Sequence, residues 1–451
     1  MEKNLTDGSV GKKLIGFSLP YLLSYFLQTI CGIADLFIIG QFEGAAGTTA
    51  VAVGSQVMHM LTVMIVGLAM GATVSIGQAI GANDRRKAAG AIGNTVTLFT
   101  GMSVLLTAAL LVLLRPIVAA MATPAEAADG AAAYLSICFA GVPFITAYNI
   151  ISAVLRGMGD SRSPLCFIAV ACAANIGLDY LLIGALHWGP AGAALGTALS
   201  QAISVVTALI ALRRKGGIPI SRAELRPQRA VMRQLLHIGI PIALQDGLIQ
   251  IAFMVITVIA NRRGLTDAAA VGIVEKIISF LFLVPSSMLS AVSALGAQNI
   301  GAGKPRRAVQ TLRWGIGIAA GFGAAVALCL QPLAETAVGL FTPDAAVAAA
   351  GGQYLRGYSW DCLFAGIHFC FSGYFCACGK SGLSFLHNIL AIVLVRIPGA
   401  YLTSVRFPTS LLPMGLATAA GSLLSALICA AAFAVLQHGR KTDRRTTGNG
   451  G

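Results

Sequence analysis

Residues Leu14–Gly40 read LIGFSLPYLLSYFLQTICGIADLFIIG, a run of apolar and small residues whose one charged side chain is Asp35. A hydrocarbon core about 30 Å thick is crossed by about 20 helical residues, so this run spans a bilayer with residues to spare. A carboxylate inside such a helix is costly unless it is protonated, paired or turned to a water-filled cavity, which makes Asp35 a functional candidate by default.

Composition extends this reading to the whole chain. Of 451 residues, 57% are hydrophobic and 11% charged, with a mean hydropathy of +0.81; soluble domains carry about 25% charged residues. The net charge of +14 comes from basic residues in short loops between apolar runs, not from a basic soluble domain with interleaved aromatics, so nucleic acid is not an expected partner. Of ten cysteines, eight, including Cys31 and Cys172, lie in apolar runs, where cysteine acts as a small hydrophobe and no disulfide framework is expected. Cys376 and Cys378 have no second Cys or His pair at zinc-ligand spacing, so helix packing is expected of them rather than a metal site. The apolar run after Lys3, Lys12 and Lys13 outlasts a signal-peptide core and reads as a retained anchor.

Breaks at Gly, Pro and charge clusters mark twelve spans, at 14–40, 48–81, 91–114, 131–157, 163–186, 190–213, 232–261, 268–301, 308–334, 349–378, 382–405 and 411–436. The clusters Arg85/Arg86/Lys87, Arg156/Arg162, the 213–233 segment, Lys304/Arg306/Arg307 and Arg440/Lys441 fall on the face shared by the termini, which the positive-inside rule makes cytoplasmic. QAIGANDRRKA (78–88) returns as QNIGAGKPRRA (298–308), and Tyr134, Gly159 and Ser161 correspond to Tyr354, Gly379 and Ser381. The chain therefore reads as all-α and polytopic, in two pseudo-symmetric six-helix bundles around a central cavity. The lobes are 1–213 and 232–438, joined by a basic linker 214–231 and followed by a tail 439–451. Six is even, so both copies share one orientation, which is transporter architecture.

The copies disagree in their ionisable residues. Near the 220-residue offset, Asp35 faces Val255 or Ile256, Asp179 faces Gly399, Glu275 faces Ser55 or Gly54, and Asp361 faces Gly141. Asn175 and Asp179 are four apart and share a helix face, as do Thr197 and Gln201. Asp35 and Asp179, if they meet, can hold a proton or bind Na⁺ with oxygens from Asn149, Asn175 or Thr197. Pro20 leaves one carbonyl without its helical donor and offers a place to bend. A lone Asn or Thr in a membrane helix commonly serves packing, whereas a short carboxylate far from a loop cannot snorkel. In the second copy Glu275 and Asp361 are candidates for a cation or substrate site, with His387 and Arg396 placed near an interface. Gln28, Tyr148, Gln201, Asp246, Gln250 and Phe280 are candidates for lining a substrate cavity, against ordinary packing for the aromatics.

ADLFIIGQF (34–42), GQAIGAND with RRKA, GAQNIGAGKPRRA, LRGMGDSRSP (155–164) and NIGLDYLLI (175–183) followed by GPAGAALGTALS (189–200) together resemble multidrug and toxic compound extrusion (MATE) transporters over essentially the whole chain. The resemblance implies twelve helices in two lobes and export of mostly cationic, amphipathic compounds in exchange for H⁺ or Na⁺. Its first-lobe cation site falls on Asp35, Asn149, Asn175, Asp179 and Thr197, and its bending proline on Pro20. Glu275 and Asp361 match a second-lobe acidic site less closely. The expected setting is a bacterial cell membrane, with both termini cytoplasmic, lipid around a monomer, and no cofactor beyond the coupling ion.

A flippase of lipid-linked or other amphipathic metabolites shares the two-lobe fold, and few basic residues in the spans weigh against it. A channel is disfavoured by the lack of a repeated filter sequence. An enzyme is not expected: neither H-E-x-x-H nor G-x-S-x-G occurs.

Overall fold

The computed structural model describes residues 4–215, 218 and 221–448. Lys3, the linker positions 216–217 and 219–220 and the end of the tail, 449–451, lie outside the described residues, as do the side chains of Lys215 and of 439–448. The first half contains α1 (Val10–Phe42), α2 (Ala45–Gly81), α3 (Arg85–Val112), α4 (Ala125–Ala140 continued by Val142–Gly157), α5 (Arg162–Ala185) and α6 (Gly189–Lys215). The second contains α7 (Arg229–Asn261), α8 (Leu265–Gly301), α9 (Pro305–Gly339), α10 (Ala345–Ala377), α11 (Ser381–Arg406) and α12 (Leu412–His438).

Ten of these helices are long and apolar enough to cross a membrane, and counting the two parts of α4 as one span makes eleven. The 48° bend in α4 falls at Gly141, where Pro143 withholds the N–H that would continue the first part. The twelfth place belongs to α10, whose 33 residues cover about 50 Å. Its polar positions include Gln353, Arg356, Asp361 and His368. They are tolerated because α10 is buried along most of its length, so protein rather than lipid surrounds it.

The repeat is visible in the backbone. At the end of α2, Ala82 N–H donates to Gln78 O, Asn83 to Ile80 O and Asp84 to Ala79 O, and at the end of α8 Ala302, Gly303 and Lys304 donate to Gln298, Ile300 and Asn299 in the same pattern. Asn83 and Gly303 hold the left-handed turn at φ 56° and 69°, as Gly159 and Gly379 do after α4 and α10 at 85° and 70°. Only residues without a Cβ, or with a short polar side chain, sit there cheaply. Asp84 then starts α3 by accepting from Lys87 N–H at 2.9 Å, a side-chain cap.

The chain divides into two compact units, Met1–Ala243 with Ala297–Lys304, and Leu244–Gly296 with Pro305–Gly451. Within the first, the repeated Q-x-I-G motifs pack on each other through their glycines. A Cβ on Gly81 would lie 1.9 Å from Gln298 O, and one on Gly301 would lie 2.0 Å from Gln78 O. Gln298 also accepts from Leu5 N–H at 3.2 Å and donates to Gly157 O at 3.0 Å. Asp7 pairs with Lys304 at 2.7 Å, and that hydrogen bond and charge hold its carboxyl below the usual range. The exposed pair adds its small stabilisation at neutral pH and loses it as acid titrates Asp7.

One expectation is corrected. Cys31 on α1 and Cys172 on α5 form a disulfide with their Cα atoms 5.8 Å apart, inside the span such a bridge requires. The two are separated by 141 residues, and no sequence spacing announces a pair that only helix packing brings together. The other eight cysteines keep their thiols.

Two outcomes follow from these contacts. Gly81→Ala or Gly301→Ala should lower the thermal unfolding midpoint in detergent, by an overpacking penalty of about 1–3 kcal/mol, whereas Gly101→Ala, which meets nothing within 4 Å, should be neutral or slightly stabilising. Thiol titration of the denatured protein should find eight reactive groups before reduction and ten after.

Candidate functional site

The helices that carry the two first-half acids run side by side and are joined by the Cys31–Cys172 bridge. Cys31 is four residues, about one turn, before Asp35, and Cys172 is three before Asn175. The bridge therefore sits about one turn before Asp35 on α1 and about two turns before Asp179 on α5. Asp35 is 7% exposed and Asp179 fully buried. The Asp35 carboxyl faces the carboxyl of Asp179 and the hydroxyl of Thr197. Asp179 is the last residue of the regular part of α5, and a π-turn over Tyr180–Ala185 follows it; such turns re-aim side chains and recur at functional sites.

Room for the carboxyls comes from a missing side chain on α6. A Cβ on Gly196 would lie 2.2 Å from Asp179 Oδ1 and 3.6 Å from Asn175 Nδ2. Asp35 Oδ1, both Asp179 oxygens and Asn175 Nδ2 are buried without a hydrogen-bond partner, and among the described residues neither acid joins an ion pair. Buried polar atoms are normally satisfied. Here the open valences are carboxylate oxygens, hard donors of the kind that hold a proton or a small hard cation.

The other first-half candidates divide. Asn175 and Thr197 stand at the acids, while Thr197 also donates to Ala193 O at 3.1 Å. The Asn149 side-chain amide donates to Ile145 O of its own helix at 2.9 Å. It lines a small cleft with Tyr21, Ser24, Tyr25, Gln28, Val66, Tyr148, Arg156 and Pro164. Gln28 and Tyr148, two cavity candidates, thus meet in one place. Gln201 on α6 is half-buried, with its Oε1 unpartnered. Helix α1 runs through Pro20 without interruption, and Ser24 Oγ donates to the Pro20 carbonyl at 2.8 Å.

In the second unit, Glu275 on α8 is half-buried and accepts from Thr257 Oγ1 at 3.0 Å, while Asp361 on α10 is fully buried. Asp246, Gln250 and Phe280 are half-buried. His387 hydrogen-bonds Ser372 at 2.8 Å and Ser425. Two arginines lie deeper than their places in the sequence suggest. Arg156, grouped there with loop charges, is 8% exposed, with its guanidinium 5.0 Å from the Tyr21 ring centre. Arg396, assigned to an interface, is buried and lies 3.7 Å from Asp361. The available signal was a lone Arg flanked by apolar residues, which lipid does not accept without a partner.

The long apolar helices, repeated in two halves, define a multi-pass membrane protein; the family it belongs to is one of membrane transporters, not enzymes. The MatE family model matches residues 20–181 and 241–402, each segment beginning at the proline of α1 or α7. The chain belongs to the MatE family. It is 30% identical over 395 residues, 88% of each chain, to the probable multidrug resistance protein YpnP of Bacillus subtilis. It is 25% identical over 394 residues, 86% of each chain, to the multidrug export protein MepA of Staphylococcus aureus. Among solved structures, a MATE protein in the bent conformation superposes with a TM-score of 0.90 at 21% identity, covering 98% of each chain. Another in the straight conformation gives 0.87 at 21%, covering 94% of this chain and 95% of that one.

Gly196→Ala tests the geometry. The clash falls on the free end of the Asp179 side chain, so the thermal midpoint in detergent should barely move, unlike that of Gly81→Ala, whose clash falls on backbone.

Proposed function

We propose that this chain is a secondary antiporter of a bacterial cell membrane, exporting amphipathic and mostly cationic small molecules in exchange for H⁺ or Na⁺. The supporting observation is the pair Asp35 and Asp179, buried face to face with three carboxyl oxygens unsatisfied. Two like charges at close range in a low-dielectric setting repel strongly, and a proton or Na⁺ between them removes that repulsion. Asn175 and Thr197 supply further oxygens. Exchange then requires that cation and substrate favour different conformations of the chain, since a ligand with equal affinity for both shifts nothing.

The disulfide restricts where α1 can move. Cys31 is held to α5, so the part of α1 free to bend lies before it and contains Pro20, eleven residues upstream. Cation binding at the acids would be transmitted to that segment through the Asp35 end of the same helix. In this reading the lobes are 1–213 and 232–438, linked by 214–231, and the basic tail 439–451 and both termini are cytoplasmic. The protein works as a lipid-embedded monomer.

A second reading is favoured by Arg156, whose guanidinium lines the cleft shared by Gln28, Tyr148 and Asn149. A fixed cation there suits an anionic headgroup, as a flippase of lipid-linked metabolites would need. Glu275 and Asp361 remain in the proposal as second-lobe acids near a cation or substrate path.

The test is efflux of a fluorescent organic cation from proteoliposomes under separately imposed proton and Na⁺ gradients. One gradient should drive efflux, and Asp35→Asn or Asp179→Asn should each reduce the driven rate about tenfold or more without loss of folded protein. Wild-type coupling in Asp35→Asn would refute the assignment. Transbilayer movement of an anionic lipid probe without drug efflux would select the flippase.

A further inference from the structure

In the second unit a buried acid has a basic neighbour, although both Asp361 carboxyl oxygens and Arg396 Nε are, like the first-unit acids, buried without a hydrogen-bond partner. Arg396 Nη2 lies 3.7 Å from Asp361 Oδ2, and the two side chains are 8% and 0% exposed. The guanidinium is held in place: it donates to the Tyr358 hydroxyl at 2.6 Å, and its carbon lies 5.2 Å from the Phe253 ring centre and 5.7 Å from that of Tyr358. Glu275 lies within electrostatic reach of both Arg396 and Lys276. Arg396 thus pairs with Asp361 and lies within reach of Glu275, while Lys276 is exposed beside Glu275 on the same helix. Tyr354, His368 and His387 stand around the Arg396–Asp361 pair as further titratable groups.

The repeat sharpens the contrast. Arg396 stands 220 residues after Ile176, the neighbour of Asn175, and closes the π-turn Ile392–Arg396 of α11 as Asp179 precedes the π-turn of α5. Corresponding helices of the two copies therefore present an amide and a carboxylate in one case and a guanidinium in the other. A guanidinium stays charged at every physiological pH. A small cation approaching Asp361 would meet that fixed like charge within about 4 Å, where repulsion in a low-dielectric interior is strong.

We propose that Arg396 is the built-in counter-ion of Asp361, a positioning residue that does permanently in the second unit what a bound coupling ion does transiently at Asp35 and Asp179. Asp361 and Glu275 then take no coupling ion, and each chain exchanges one cation. The inference rests on the reading of Asp35 and Asp179 as the exchange site.

The experiment counts cations bound per purified full-length chain, using radioactive Na⁺ binding and proton uptake in weakly buffered detergent solution. Wild type, Asp361→Asn and Arg396→Lys should each bind one. Arg396→Gln should gain a second, and Arg396→Gln/Asp361→Asn should lose it again. A wild type that binds two cations and loses one with Asp361→Asn overturns the proposal, as does a folded Arg396→Gln that gains none. Should Arg396→Gln fail to fold, the wild-type and Asp361→Asn counts decide alone. Asp35→Asn/Asp179→Asn separates the two readings. If the single cation survives both in that variant and in Asp361→Asn, the first-unit assignment fails while the role of Arg396 stands; if it survives there but disappears with Asp361→Asn, both fail.

Discussion

Two carboxyl groups buried against each other, with no basic side chain to pair them, are the constraint on which the first unit turns. Water would stabilise them at the surface, and a guanidinium would stabilise them inside; Asp35 and Asp179 have neither. A buried arrangement of this kind persists only where the surrounding packing enforces it and a ligand relieves it. The packing is identifiable. Gly196 leaves space for Asp179, the π-turn after Asp179 redirects α5, and the Cys31–Cys172 bridge holds α1 against α5 one turn before Asp35 and two before Asp179.

The second unit shows that the same scaffold tolerates the opposite solution. Its fully buried acid, Asp361, is met by Arg396, and a hydroxyl and two aromatic rings fix the guanidinium. Burying an ion pair brings little net stability, because desolvation offsets the attraction. Its presence in α10 and α11 therefore calls for an account other than packing. What the two copies share is backbone: matching hydrogen bonds after α2 and α8, and matching left-handed turns at Asn83 and Gly303 and at Gly159 and Gly379. What they do not share is charge.

Much of the site could be read before any coordinates. Asp35 and Asp179 were legible because a carboxylate in an apolar run violates the composition around it, and Asn175 was legible through its four-residue spacing from Asp179. Asn149 lines the cleft of Tyr21 and Arg156, with its Nδ2 donating to Ile145 O of its own helix, a placement that residue type alone does not give. The burial of Arg156 and Arg396 was not legible because a long side chain near a span's end looks the same in sequence whether it snorkels outward or folds inward over an aromatic ring.

Sequence alone determined that the chain is a membrane protein of two repeated six-helix copies, because hydropathy and repetition are properties of the chain read along its length. It also singled out the acids, because their cost is local. Only the tertiary structure decided which acids meet, which acid receives an arginine, and which two of ten cysteines join across 141 residues. Those outcomes depend on the rotation and approach of helices distant in sequence, which are set by small residues such as Gly81, Gly196 and Gly301 at contacts a linear pattern does not display.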